Sequence, residues 1–144
     1  MKHQQPLILI SNDDGYNAKG LKSLIEMVRP FGDIIVCAPD GGRSGKSRAF
    51  STVLYLKKIS SEPGIEVYSC SGTPVDCLKM AYNQICKRKP DLVLSGINHG
   101  DNASTNAQYS GTVGVVIEGA MKGIPSIAFS LCDYSEDADF APMA

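Results

Sequence analysis

Two adjacent aspartates, Asp13 and Asp14, are the residues in this sequence best suited to chemistry. They follow an apolar run, residues 7–10, whose length and branching are typical of a buried strand. Neighbouring carboxylates repel one another, and burying either of them unpaired is costly. A divalent cation at the end of the strand would offset that cost. For a single aspartate we would favour an Asx-type turn that caps the next helix, but Asn-Asp-Asp-Gly favours a site.

Composition limits the remaining possibilities. A chain of 144 residues is most simply one domain, and 43% hydrophobic with 20% charged residues is ordinary for a soluble globular protein. A net charge of -1 gives little attraction for a nucleic-acid polymer or an anionic membrane. The sequence shows neither a signal-peptide pattern nor an apolar run of membrane-spanning length, so we expect a cytoplasmic protein.

The cysteines predict free thiols rather than cross-links. Their number is odd, none forms a C-x-x-C pair, and several lie inside apolar runs. We therefore expect buried thiols in a reducing compartment, not disulfides or a zinc site. The five positions are Cys37, Cys70, Cys77, Cys86 and Cys132.

Strand and helix patterns alternate along the chain. They predict strands at 7–10, 33–38, 52–58, 65–70, 91–94 and 126–130 and helices at 18–29, 73–85 and 113–122. Residues 52–58 and 65–70 are joined by a Pro-Gly turn segment and are predicted to form a hairpin. The other strands are separated by helices, which indicates an α/β fold with a mainly parallel sheet and helices on both faces.

Polar, glycine-rich segments follow three of the predicted strands. Because ligands bind at the carboxyl ends of parallel strands, near the point where strand order reverses, we expect these segments to converge. Their oxygen-bearing side chains are those of Asp13, Asp14, Ser44 and Asn98. Two carboxylates, a hydroxyl and an amide carbonyl suit a hard cation such as Mg²⁺ or Mn²⁺ better than zinc.

Five motifs resemble those of the SurE family of metal-dependent nucleotide phosphatases. In order, they are ILISNDDG, APDGGRSGKS, SGTPVDC, PDLVLSGIN and YSGTVG. The resemblance implies a Rossmann-like three-layer sandwich that hydrolyses nucleoside monophosphates, with 5'-nucleotidase, 3'-nucleotidase and exopolyphosphatase activity. It also implies metal ligands at Asp13, Asp14, Ser44 and Asn98, the set that convergence selects. Asn102 and residues 110–112 (Ser110, Gly111 and Thr112) match phosphate-contacting positions of the family.

The residue types suggest how such a reaction would proceed. Backbone N–H groups of Ser110, Gly111 and Thr112 open a predicted helix and would form an anion site. We expect one of the two aspartates to orient or deprotonate the attacking water, with Asp13 and Asp14 as the catalytic pair. Direct attack by an aspartate through an aspartyl-phosphate is the open alternative.

The resemblance also carries expectations about size and assembly. Family members are longer, so residues 1–144 are expected to form a single domain that lacks the family's C-terminal portion. That portion carries the arm through which family subunits form dimers or tetramers. A non-catalytic nucleotide- or metal-binding fragment of the same fold is therefore the alternative to an enzyme.

Two other phosphate-site patterns fit less well. The segment GRSGKS resembles a P-loop, but Asp40 stands where the first glycine is required and a strand pattern follows instead of a helix. Phosphatases of the D-x-D type need aspartates two residues apart on one side of a strand, whereas Asp13 and Asp14 are adjacent.

His99 could protonate a leaving group, but a solvent-facing role is favoured.

Overall fold

The computed structural model describes residues 5–40, 54–99 and 111–131. Six strands form one sheet in the order β3-β4-β2-β1-β5-β6. The strands are β1 (Leu7–Ser11), β2 (Asp33–Pro39), β3 (Leu56–Glu62), β4 (Ile65–Cys70), β5 (Leu92–His99) and β6 (Ser126–Leu131). The helices are α1 (Lys19–Val28), α2 (Pro74–Met80) and α3 (Gly111–Met121).

Every pair of neighbouring strands is parallel except β3 and β4, which form an antiparallel hairpin. The chain passes from β1 to β2 and β4 on one side, and then crosses to β5 and β6 on the other. Strand order therefore reverses beside β1, between β1 and β5. In doubly wound sheets this is where a ligand crevice opens at the carboxyl ends of the strands. We call that side of the sheet the carboxyl end and the opposite side the amino end.

Alternation along β1 divides the hydrophobic core into two layers. Ile8 and Ile10 pack with Leu21 and Leu24 of α1. Leu9, one position along, packs instead with residues of α2 and α3 on the opposite face of the sheet. These core positions are at most 2% exposed, as expected for strands covered by helices on both faces. The predicted three-layer α/β fold is confirmed.

Local sequence explains where α2 begins and ends. Thr73 caps it reciprocally: its hydroxyl accepts the N–H of Asp76, and the Asp76 carboxylate accepts the N–H of Thr73. Pro74 occupies the first turn, where a missing N–H costs nothing. The predicted helix over 73–85 is present, but its second half, Ala81–Ile85, widens into a π-helix that the apolar spacing does not reveal.

Three predicted boundaries differ from the structure. The predicted strand 91–94 continues to His99, so Asn98 lies in a strand and not in the loop where we expected it. The predicted hairpin is confirmed, but β3 runs from Leu56 to Glu62 and leaves only Pro63 and Gly64 for the turn. The predicted helix 113–122 begins earlier, at Gly111.

The described cysteines are free thiols, as predicted. Cys77 of α2 is buried together with Cys37 of β2 and Cys70 of β4, and Cys86 is partly buried in the same cluster. Hydrogen bonding between neighbouring thiols, followed by burial, raises the pKa of Cys37 and of Cys77. Burial raises the pKa of Cys86 to about 11. Cys132 lies outside the described residues. Within the described ranges, every helix is too short or too polar to span a membrane.

Candidate metal and phosphate site

The turn after β1 is held by a buried asparagine. The side-chain amide of Asn12 donates to the carbonyl of Gly15 (2.8 Å), and its carbonyl oxygen accepts the N–H of Gly15 (3.1 Å). Gly15 has φ +108°, a conformation that costs glycine little and other residues much. Asn12 is fully buried, so this closed turn fixes the backbone that carries Asp13 and Asp14.

Asp13 lies against the first turn of α3. A Cβ atom at Gly111 would stand 2.7 Å from Oδ1 of Asp13 and 2.7 Å from the ring of Pro74. Only a residue without a side chain lets the helix approach this closely. The carboxylate is 9% exposed, so it is nearly buried beside backbone N–H groups that favour negative charge. Asp14 is partly buried.

Asn98 reaches the same end of the sheet from β5. The strand is irregular just before it: the β5–β6 register shifts between Ser95 and Asn98, and Asn98 then pairs with Ser130. Gly96 lies in this irregular stretch with φ +127°, where a Cβ would stand 2.5 Å from the carbonyl oxygen of Phe129. The side chain of Asn98 is partly buried. A predicted loop residue is therefore anchored in the sheet by pairing on both sides of the irregularity.

The structure therefore places most of the predicted site at one location. Asp13, Asp14 and Asn98 follow or end the two strands that flank the reversal of strand order. Gly111 and Thr112, predicted as a turn, form the first turn of α3. The remaining predicted site residues, Ser44, Asn102 and Ser110, lie outside the described residues.

The chemistry of the donors fits a hard cation. Two carboxylates and an amide carbonyl are oxygen ligands of the kind that Mg²⁺ and Mn²⁺ take. In the described part of the chain, no three histidine, cysteine or acidic side chains are grouped so that they could hold a metal. The described residues thus provide no nitrogen–sulfur centre of the zinc type, and the oxygen set at the carboxyl end is the candidate.

Sequence reasoning missed three residues that shape this site. Asn12 was treated as part of a polar motif and not as the residue that closes the turn. Ser11 and Ser95, at the ends of apolar runs, are fully buried side by side in the sheet. The only signal for the serines was their position, because a hydroxyl directly after a buried strand marks the point where the core gives way to the site.

A groove of about 450 Å³ opens at the amino end of the sheet, far along the strands from Asp13. Two of its acidic residues have basic partners: Glu62 lies 3.6 Å from Arg29, and Glu66 lies 3.0 Å from Lys58. The Lys58 ammonium, the largest influence, lowers the pKa of Glu66. The charges of these two acidic residues are therefore already paired at an exposed surface. We assign the chemistry to the carboxyl end of the sheet despite the size of the groove.

Comparison with known proteins identifies the same family. Residues 8–144 match the family described as Survival protein SurE. The chain is 55% identical over 142 residues to a protein of Bacteroides fragilis named 5'-nucleotidase SurE, covering 97% of this chain and 56% of the relative. A protein of the same name from Phocaeicola vulgatus is 56% identical over 143 residues, covering 98% of this chain and 56% of the relative.

A solved structure agrees with the sequence relatives. The crystal structure of SurE protein from Aquifex aeolicus matches with a TM-score of 0.84 and 41% identity, covering 96% of this chain and 55% of that one. The chain thus spans about half the length of the relatives it matches. The ordered motifs, the six-stranded sheet and the match over residues 8–144 lead to one conclusion: this chain belongs to the SurE family.

Proposed function

We propose that this chain carries the catalytic half of a metal-dependent phosphomonoester hydrolase that acts on nucleoside monophosphates. The observation that carries the proposal is the Asp13 carboxylate, nearly buried against the first turn of α3 where strand order reverses. The names of the relatives, 5'-nucleotidase SurE, support the same reaction. Activity on 3'-nucleotides and polyphosphate is part of the proposal, because both are phosphate esters or anhydrides that the same site could hold.

The proposed site residues divide the work between charge and position. Asp13 and Asp14, with Asn98 and Ser44, would hold a Mg²⁺ or Mn²⁺ ion. When bound, such a cation neutralises phosphoryl charge and activates water. The N–H groups at the start of α3 would bind phosphoryl oxygens, together with Asn102. Gly111 leaves room for that approach because it has no side chain.

The aspartates are also proposed as the catalytic pair. A carboxylate beside the phosphoryl group can accept the proton of the attacking water, which leaves a nucleophile aimed at phosphorus. The Asn12 turn holds the backbone that carries Asp13, and α3 packs against its carboxylate, so both restrict its orientation before substrate arrives. Fixed orientation is the main contribution a protein makes to phosphoryl transfer.

Location and assembly follow from the same proposal. Free thiols at Cys37, Cys70 and Cys77 are consistent with a reducing, cytoplasmic compartment. The partner is a small nucleotide substrate. The family resemblance implies a dimer or tetramer for full-length members, whose association arm lies beyond the portion that residues 1–144 match. The mass of the assembly in solution tests whether this chain associates.

One experiment separates an enzyme from a binding fragment. The purified chain is assayed for phosphate release from a panel of nucleoside monophosphates with Mg²⁺, Mn²⁺ or chelator, beside Asp13→Asn and Asp14→Asn. We expect metal-dependent release that both substitutions abolish. Asp33→Asn, an exposed aspartate at the amino end, serves as the charge control and should retain activity.

Each alternative outcome has a distinct meaning. Folded protein that binds nucleotide and metal but releases no phosphate would support the non-catalytic fragment instead. Release that survives both aspartate substitutions would refute the site assignment and leave the reaction itself intact.

A further inference from the structure

Two buried serine hydroxyls lie side by side beneath the candidate site. Ser11 ends β1, and Ser95 is its direct partner in β5. Both residues are 0% exposed, and neither hydroxyl has a hydrogen-bond partner among the described residues. A buried hydroxyl without a partner opposes folding. A single such hydroxyl could be a chance occurrence in a core. Two of them paired in register call for a common structural explanation.

Strand alternation shows which way the two hydroxyls face. Leu9 and Val93 belong to the core layer that Val115 of α3 covers. Ser11 and Ser95 lie two residues further along the same strands, so their side chains point to the same layer. Thr112 is also fully buried and precedes Val115 by one turn on α3, so it lies on the same side of that helix. The hydroxyls thus form a polar layer under the first turn of that helix.

The candidate catalytic carboxylate follows this layer along the chain. Asp13 is two residues beyond Ser11 and touches the start of α3 at Gly111. Asn98 is three residues beyond Ser95 on the neighbouring strand. Along β1 and β5 towards the carboxyl end, the order is apolar side chains, then a buried hydroxyl, then an oxygen donor. Each serine therefore precedes one of the donors by two or three residues on its own strand.

We propose that Ser11 and Ser95 hold one ordered water between them and that this water positions Asp13. A buried water needs two to four polar partners. The paired hydroxyls would supply two of them, and the Asp13 carboxylate would supply a third. Ser11 and Ser95 are thus positioning residues that act through the water. The positioning role rests on the proposed function, whereas the shared water does not.

Alanine substitution distinguishes a pair of serines that share a water from a pair whose hydroxyls are simply left unsatisfied. If each hydroxyl is simply unsatisfied, its removal relieves a cost and stabilises the protein or leaves it unchanged. If the two hydroxyls share a water, each removal leaves that water short of partners and destabilises the protein. The two losses are then coupled, because the second substitution removes a water site that the first has already damaged.

The test uses the full chain with Ser11→Ala, Ser95→Ala and the double variant. Urea unfolding measures stability, and titration with Mn²⁺ followed by electron paramagnetic resonance measures metal affinity. We expect each single variant to lower the urea midpoint, the double variant to lower it by less than the sum, and Mn²⁺ affinity to fall by about tenfold or more. Ser69→Ala, a buried serine in β4, is the matched control and should leave Mn²⁺ affinity unchanged.

Each contrary result overturns a stated part. Midpoints that stay level or rise in the single variants would refute the shared water, as would a high-resolution crystal structure with no water between the two hydroxyls. Lower midpoints with wild-type Mn²⁺ affinity would refute the positioning role. Wild-type protein that binds no Mn²⁺ would refute the metal site of the proposed function and the positioning role with it, while the urea midpoints would still decide the shared water.

Discussion

At the carboxyl end of the sheet, Asp13 is nearly buried against a helix N-terminus, whereas at the amino end Asp91 is exposed beside Arg88. Asp91 accepts the N–H of Leu7 (2.8 Å) and lies 2.9 Å from the Arg88 guanidinium. Both aspartates adjoin β1, and they differ in what surrounds them. The exposed one has a basic partner in water and fastens a strand. The buried one lies against the amino terminus of a helix, an environment suited to a cation or a reacting phosphate.

The comparison shows where a fold can sustain chemistry. A carboxylate paired in water contributes little beyond local structure. A carboxylate held in a rigid, partly dry location interacts more strongly with any charge that enters. Substitutions at the two ends of β1 should therefore have different consequences: loss of function at the carboxyl end and modest loss of stability at the amino end.

Among substitutions that leave the proposed metal ligands in place, Gly111→Ala should have the largest effect. The new methyl group would stand 2.7 Å from both Oδ1 of Asp13 and the Pro74 ring, so the helix or the carboxylate must move. Displacement of a reacting group by about 1 Å costs about 100-fold in rate, so we expect phosphate release to fall by that factor, with weaker Mn²⁺ binding.

The control for that substitution lies one turn away on the same helix. At Gly114 a Cβ would stand 3.1 Å from a methyl group of Val75, a side chain that can yield. Gly114→Ala should therefore keep most of the activity. Equal losses in the two variants would mean that the helix as a whole, and not its contact with Asp13, is what the substitutions disturb.

Asn12→Ala should have an intermediate effect, mainly on stability. It removes both hydrogen bonds to Gly15 in a buried turn. We expect the free energy of unfolding to fall by about 2 kcal/mol, measured by urea denaturation. The exposed turn residue Asn17 is the matched control, and Asn17→Ala should change stability by no more than about 0.5 kcal/mol. Comparable losses at the two positions would show that the buried turn carries no special share of stability.

Asp91→Asn should have the smallest effect. The Leu7 N–H, followed by Arg88, holds the pKa of Asp91 below its ordinary value. A carboxyl group with a lowered native pKa stabilises the folded state above its unfolded pKa of about 3.9, and this contribution is lost as pH falls through the native pKa. The difference in urea midpoint between wild type and variant should therefore be small at neutral pH and shrink in acid.

Mn²⁺ affinity of the Asp91→Asn variant provides the contrast with the carboxyl end. It should equal that of the wild type, because Asp91 is at the opposite end of β1 from Asp13. A clear loss of affinity would mean that the two ends of β1 are coupled through the strand and do not act independently.

Much of this architecture follows from local sequence. The apolar run before Asp13 predicts a buried strand, and the Thr73-Pro74 pair predicts the start of α2, because burial and capping act over a few residues. The length of β5 could not be predicted in the same way. Its second half contains Gly96 and Asn98, which lack strand propensity and are held by pairing with β6, a contact distant in sequence.

The candidate site shows the same division. Asp13, Asp14 and Asn98 were predicted from residue type and strand-end position, and the structure brings them to one end of the sheet. The contact between Asp13 and Gly111 depends on how α3 crosses the sheet, which no local pattern specifies. The pairing of Ser11 with Ser95 likewise depends on strand register, so only the assembled sheet reveals it.

The closed turn at Asn12 also affects the chemical stability of this asparagine. Spontaneous deamidation requires the backbone nitrogen of the next residue to reach the asparagine side chain, and here both ends of that amide are engaged by Gly15. Conversion to aspartate would retain the acceptor, lose the donor and place three carboxylates in succession. The folded chain should therefore resist deamidation at residue 12, and any molecule damaged there while unfolded would refold with difficulty. Deamidation at residue 12 should therefore mark those molecules that have spent time unfolded.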